Sequence, residues 1–143
     1  MNVLKLVLGL PFACALLFFA CRSGSGPVSL VAVGLHQSTR IASNVVVQVD
    51  SIQDSRCPVN FNCLVAGQAR VKLTLSKESE SSSVWLTLGF ASSPVSTSIR
   101  RSDSTNVILK SAAYKVILQK VDPYPGAGIP GQLQTVFVEV TNL

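Results

Sequence analysis

The sequence predicts an all-β domain in which two antiparallel sheets pack as a sandwich, with about seven strands in an immunoglobulin-like layout. Two observations support this prediction. Apolar and polar residues alternate in several short runs, and segments rich in Gly, Pro, Ser and Asn separate these runs, which is typical of strands joined by turns. No segment after residue 20 repeats its apolar residues at the helical period. A small closed β-barrel is the alternative arrangement of the same strands.

The individual strands are predicted from this alternation. The most regular one is 64–76, where residues of one parity are apolar or small and residues of the other parity are mostly polar. That pattern is expected for a strand with one face in water. The polar segments 36–40, 77–83 and 101–106 are predicted as turns. The other predicted strands are 28–35, 44–52, 84–90, 107–109, 113–121 and 135–142.

Residues 1–20 have the features of a signal peptide, which directs export and is then removed. Lys5 supplies the early positive charge, and 6–20 is an apolar run without any charged residue. The run is shorter than the roughly 20 apolar residues that a membrane-spanning helix needs. We therefore expect an exported protein and exclude these residues from the fold.

The end of that run, Leu17-Phe18-Phe19-Ala20-Cys21, resembles a bacterial lipobox, in which cleavage precedes a cysteine that then carries lipid. Phe18 stands where leucine is usual in this motif. The resemblance implies a protein anchored to a membrane of the bacterial cell envelope through Cys21, at the outer membrane or the cell surface. Residues 21–27 would then be a lipidated cysteine with a flexible tether, and 28–143 the β domain. An ordinary signal peptide and a secreted or periplasmic protein are the alternative.

Cys57 and Cys63 are predicted to form a disulfide, because an exported domain enters an oxidising compartment and the remaining cysteines, Cys14 and Cys21, belong to the signal peptide and the lipid site. The bridge would close a short ring and restrict the unfolded chain by roughly 2–2.5 kcal/mol. The spacing is not that of a Cys-x-x-Cys redox pair. A zinc site usually needs about four ligands, and His36 is the only histidine, so no metal is expected.

The residues around the two cysteines form a candidate binding loop, because loops on a rigid scaffold often carry function. Val59-Asn60-Phe61 lies inside the ring, where a pre-organised loop would present it to a partner. Asp54 is expected to accept backbone donors in a turn, and Arg56 to pair with Asp50 or Asp54. Gly67 is small enough to let another segment pack closely near the disulfide.

The sequence lacks the signals of an enzyme and of a nucleic-acid-binding protein. The formal net charge is +5, but the basic residues are scattered and Arg100-Arg101 is the only adjacent pair, which is not the basic stripe that nucleic acid requires. There is one histidine and no Gly-x-Ser-x-Gly elbow. Residues 126–131 spell G-x-G-x-x-G, but Pro130 lies inside the motif, so no helix can open there to bind a nucleotide. No catalytic residue and no cofactor are expected, and we expect a monomer.

The run Asp54-Ser55-Arg56-Cys57-Pro58, followed by Cys63 and Gly67, resembles a group of small bacterial exported proteins, mostly predicted lipoproteins without an assigned activity. The strand that ends in Asp122-Pro123-Tyr124-Pro125 is similar to the same group. Where its members carry an aromatic residue after the second cysteine, this chain has Leu64-Val65-Ala66. The resemblance implies an exported β domain and supplies no catalytic residues.

Three functions are compatible with these features. The leading hypothesis is a non-enzymatic, membrane-anchored β domain that acts through surface contact, with an envelope protein as a candidate partner. The second is a protease inhibitor or ligand-binding module that presents the disulfide-bridged loop. The third is an envelope hydrolase that uses His36 with a serine and Asp50, which the missing catalytic signature disfavours.

Overall fold

The computed structural model describes residues 29–41, 44–90 and 99–143. The strands in these residues are β1 (Ser29–Gly34), β2 (Ser38–Arg40), β3 (Val46–Asp54), β4 (Gln68–Lys77), β5 (Glu80–Phe90), β6 (Ile99–Arg100), β7 (Asp103–Leu109), β8 (Ala112–Asp122) and β9 (Thr135–Asn142). Sheet A has the order β1-β9-β8-β7 and sheet B the order β2-β3-β4-β5-β6. Every described pairing is antiparallel. The two sheets do not close into a barrel, so the two-sheet sandwich is confirmed and the barrel alternative is wrong.

The alternation of apolar residues places one face of each long strand in the core. In β4, Ala69, Val71, Leu73 and Leu75 are buried, while the residues between them are exposed or half-buried. Burying such side chains against the facing sheet supplies most of the driving force for folding. The core is mainly valine and leucine: Val33, Val45, Val47, Val49, Leu86, Leu88, Val107, Leu109, Val116, Leu118, Val121, Val136, Val138 and Val140.

Tyr114 is the one aromatic side chain in this buried core of the described residues. A buried hydroxyl is costly unless it has a hydrogen-bond partner. The Nζ of Lys77 donates to the Tyr114 hydroxyl at 2.9 Å, so β8 can place a large ring between the sheets without leaving a polar atom unpaired.

The described residues contain nine strands rather than about seven. The prediction of a turn over 36–40 holds at His36 but is wrong over 38–40, because β2 lies there and pairs with β3 through Ser38 and Gln48. The prediction of a turn over 101–106 is also wrong, because β7 begins at Asp103. Both strands lie at a sheet edge and have exposed polar positions, so backbone pairing holds them without the apolar alternation that reveals a core strand.

Two segments predicted beside β4 also have different structures. The segment 64–67 is a loop and not the start of the strand, and the Leu64 side chain is fully exposed. The predicted loop over 77–83 is shorter than expected, because the hairpin turns at Glu78 and Ser79. Glu78 adopts a φ of 54° there, the left-handed conformation that tight hairpin turns require.

The connections at one end of the sandwich bring two long loops together. The disulfide loop (residues 55–67) joins β3 to β4, and the proline loop (residues 123–134) joins β8 to β9. We call this end the disulfide end. The register pairs Gly34 with Thr135 there and Ser29 with Val140 at the opposite end. The chain therefore enters β1 at the end away from the two loops, and β1 alone spans roughly 17–20 Å.

Candidate functional site

The disulfide predicted from the sequence is confirmed. Cys57 and Cys63 are bonded, with their Cα atoms 5.9 Å apart. Backbone hydrogen bonds close the base of the disulfide loop: Ser55 N–H donates to Gln68 O at 2.8 Å, and Cys57 N–H donates to Ala66 O at 2.9 Å. The loop is therefore tied at its base by the sheet and near its tip by the bridge, which restricts its conformation.

Gly67 allows the two sides of the disulfide loop to approach each other. Its φ is +71°, and a Cβ built there would lie 1.9 Å from the carbonyl oxygen of Ser55. Only glycine fits such a position without moving the backbone. The close packing expected near the disulfide is thus confirmed. The segment that packs against Gly67 is the other side of the same loop, at Ser55.

Asp54 and Arg56 form an ion pair with largely buried side chains at the base of the disulfide loop. The Arg56 Nε and Nη2 donate to the two Asp54 carboxylate oxygens at 2.8 and 2.6 Å, and the two side chains are only 9% and 6% exposed. The Arg56 backbone N–H also donates to Asp54 Oδ1 at 3.1 Å. Of the two partners considered for Arg56, the structure selects Asp54, and Asp54 accepts a backbone donor as expected.

This ion pair joins the two sheets. Arg56 Nη2 also donates to Val121 O at 3.0 Å, and Asp54 Oδ2 accepts from Gln134 Nε2 at 3.0 Å. The guanidinium lies 4.4 Å from the ring centroid of Tyr124, a cation–π geometry. Both side chains thus make several hydrogen bonds inside the protein, so they serve mainly to support the loop.

The tip of the disulfide loop, formed by Val59, Asn60 and Phe61, faces solvent. All three are exposed, and Phe61 is 70% accessible. The Phe61 backbone N–H donates to Pro58 O at 3.1 Å and forms a turn at the tip of the loop. The structure therefore separates the candidate binding residues into a buried supporting pair and an exposed tip.

The proline loop braces the disulfide loop from the side. Val59 N–H donates to Pro125 O at 3.0 Å. A Cβ added to Gly126, whose φ is +79°, would lie 3.2 Å from the Pro58 Cβ, so the two loops are in close contact. The G-x-G-x-x-G segment lies in the proline loop. The next element after it is the strand β9 and not a helix.

Sequence reasoning missed part of the exposed surface at this end. Leu64 and Val65 were assigned to a strand, yet they project from the disulfide loop into solvent. Ile129 and Leu133 of the proline loop are exposed as well. The only sequence signal for them is that large apolar residues occur in segments rich in Gly, Pro and Asn, where a core strand is disfavoured.

His36 and Asp50 do not form a hydrogen-bonded catalytic pair in the part of the chain that the structure describes. Asp50 Oδ2 accepts from the Thr74 hydroxyl at 2.7 Å and lies 4.0 Å from Lys72 Nζ. His36 is exposed in a turn with a φ of 61°. Among residues 29–41, 44–90 and 99–143, no three His, Cys, Asp or Glu side chains are placed to hold a metal ion.

Searches against protein-family models, curated proteins and solved structures found no match. The described residues contain no helix long and apolar enough to cross a membrane. Cys21 and residues 1–27 lie outside the described residues, so the signal peptide, the lipid site and the tether stay predictions.

Proposed function

We propose that the protein is a lipid-anchored, non-enzymatic β domain of the bacterial cell envelope, and that its disulfide end binds another envelope protein. The observation that supports this most is a cluster of large apolar side chains on one braced loop. Val59, Phe61, Leu64 and Val65 are 55%, 70%, 106% and 66% exposed. Large exposed apolar residues grouped on one loop commonly mark an interaction site.

The chemistry of this cluster indicates the kind of partner. The disulfide loop from Cys57 to Gly67 contains no charged residue, so an apolar and uncharged groove fits it best. Full burial of one such side chain is worth about 1.5–3 kcal/mol. Because the bridge, the Arg56–Asp54 pair and the proline loop already order the backbone, little of that free energy is lost to ordering on binding.

The geometry of the sandwich suits an anchored binding domain. Cys21 precedes Ser29 by eight positions, and Ser29 lies at the end opposite the disulfide loop. A lipid on Cys21 would hold that opposite end near the membrane, and the exposed apolar cluster would then face away from the bilayer. This orientation favours contact with a protein and not with the anchoring membrane.

The protease-inhibitor alternative has less support from the backbone. An inhibitory loop presents an extended segment to the protease cleft, in the manner of an added strand. Here the tip is a turn closed by Phe61 N–H and Pro58 O, and Val59 N–H is already bonded to Pro125 O. The side chains of the tip are free to contact a protease, but the backbone N–H groups of Val59 and Phe61 are already hydrogen-bonded within the protein.

Site-specific photo-crosslinking in intact cells tests the binding proposal. A photoreactive phenylalanine analogue at Phe61 should give one discrete cross-linked species, and the same analogue at Ile108 should not. Ile108 is the matched control because it is an apolar residue with 67% exposure on sheet A, remote from the disulfide loop. Equal cross-linking at the two positions, or none at Phe61, would contradict the proposal.

Intact-mass measurement tests the anchor separately. The protein from its native membrane fraction should have the mass of a chain cleaved before Cys21 and carrying acyl groups. The Cys21→Ala variant should lose the acyl mass and its membrane association. A wild-type mass without lipid would overturn the anchored arrangement while leaving the cross-linking result to be judged independently.

A further inference from the structure

A second candidate site is a cleft of about 300 Å³ beside the disulfide loop. It lies where the strand pairing at one edge of each sheet ends. β7 pairs with β8 only as far as Leu118, so in the described residues the last part of β8 has no neighbour on that side. Within the part of the chain that the structure describes, β6 pairs with Gly89 and Phe90 alone. The chain then crosses from sheet B to sheet A between β6 and β7 and forms one wall of the cleft.

The lining of the cleft is mainly apolar. Leu88 and Phe90 of β5, Ile99 of β6, Val121 of β8 and the Tyr124 ring contribute to it. Its volume is at the lower end of the range for ligand-binding sites, about 300–1,000 Å³. A single short apolar group would fill it, whereas a nucleotide or an oligosaccharide would not fit.

The rim of the cleft is cationic, with four basic side chains. Three of them already have carboxylate partners: the pairs are Arg56–Asp54, Arg100–Asp103 and Lys120–Asp122. The fourth, Arg101, has no ion-pair partner in the described residues. All seven Asp and Glu residues of the sequence lie in the described part of the chain, so no acidic side chain elsewhere can neutralise it. The cleft therefore combines an apolar interior with one uncompensated positive charge.

We propose that this cleft binds a small monoanionic amphiphile, a carboxylate carried on a short apolar chain, as in a medium-chain fatty acid. The apolar chain occupies the space between Leu88, Phe90 and Ile99, and Arg101 receives the carboxylate at the rim. A guanidinium matches a carboxylate with two parallel hydrogen bonds. A dianion such as phosphate gains little here, because one free cation cannot offset the loss of its hydration. This inference goes beyond the proposed function, since it concerns a different ligand at a different surface.

Photoaffinity labelling of the full chain in phospholipid nanodiscs tests the assignment. The probe is octanoate with a diazirine at the end of its chain, and labelled positions are mapped by mass spectrometry after chymotryptic digestion, which does not depend on Arg101. Label is expected on residues that line the cleft, with competition by unlabelled octanoate but not by octanol or inorganic phosphate.

Two arginine variants separate the cleft from general lipid partitioning. Arg101→Gln should lower cleft labelling about tenfold or more, because a hydrogen bond to a charged group is lost. Arg40→Gln, at an exposed arginine of β2 at the opposite end, should leave the labelling unchanged. The proposal is overturned if Arg101→Gln labels as strongly as wild type, if octanol or phosphate competes as well as octanoate, or if the label lies outside the cleft.

Discussion

Replacing Arg56 with alanine should destabilise the domain by about 3 kcal/mol. The substitution leaves the Asp54 carboxylate, which is 6% exposed, with only Gln134 and a backbone N–H as partners. Removing one member of a buried ion pair typically costs about 3–5 kcal/mol. The pair here lies near the end of the sandwich and Asp54 keeps two hydrogen bonds, so the lower end of that range applies.

Urea unfolding followed by far-ultraviolet circular dichroism measures this loss. The matched control is Arg70→Ala, also in sheet B, where the guanidinium lies 4.9 Å from the ring centroid of Trp85 and the residue is exposed. An exposed cation–π contact is worth only about 0.5–1 kcal/mol. Arg56→Ala should therefore lower the free energy of unfolding at least twice as much as Arg70→Ala, with a similar dependence on urea concentration.

A double-mutant cycle isolates the pair itself. The Asp54→Ala/Arg56→Ala double variant should lose less free energy of unfolding than the two single variants together. The difference should exceed about 1 kcal/mol, because residues in direct contact have non-additive effects. If the two costs simply add, or if Arg56→Ala behaves like Arg70→Ala, then the ion pair does not support the disulfide end and the reasoning fails.

Three further perturbations test the same end of the molecule by urea unfolding. The Cys57→Ser/Cys63→Ser double variant should lose roughly 2 kcal/mol with the fold retained; a loss near zero, or a different circular dichroism spectrum, would contradict this. Gly67→Ala should cost well over the roughly 1 kcal/mol expected for Gly131→Ala, because Gly131 has a φ of +84° but no atom within 4 Å of an added Cβ; equal costs would show that the Ser55 contact is unimportant. Asp103→Ala should cost about 1–3 kcal/mol, since its Oδ2 accepts from Thr87 N–H at 2.8 Å and links β7 to β5; an unchanged midpoint would refute that link.

The sequence predicted those strands whose side chains alternate cleanly between core and water. β9 occupies the same residues as its prediction, 135–142, and the regular apolar residues of β4 are buried. β2 and β6 were not predicted because they are short and largely exposed. Backbone pairing alone does not require a particular pattern of residue types. The predicted strand began too early, at Leu64, because Val65 and Gly67 continue the parity of the buried β4 residues, although the positive φ of Gly67 interrupts the strand before it reaches Val65.

The candidate site was predictable only in its local parts. The disulfide and the Arg56–Asp54 pair join residues close in sequence: the disulfide was predicted, and Asp54 was one of the two partners expected for Arg56. The contacts of that pair with Val121 and Gln134 span 65 and 80 positions, and they depend on how the two sheets stack. No residue pattern reveals such a contact, so the burial of Asp54 and Arg56 could not be foreseen.

The antiparallel pairing of β1 with β9 also determines how the domain would respond to mechanical load. If the chain is held by its N-terminal side and a partner pulls on the disulfide loop, the force runs along β1. The hydrogen bonds of the β1–β9 ladder lie perpendicular to the strands, so this force shears the whole ladder at once, across all six paired residues from Ser29 to Gly34, and does not open it one bond at a time. If the protein is anchored and binds a partner as proposed, this shear geometry would help it resist tension between the membrane and that partner.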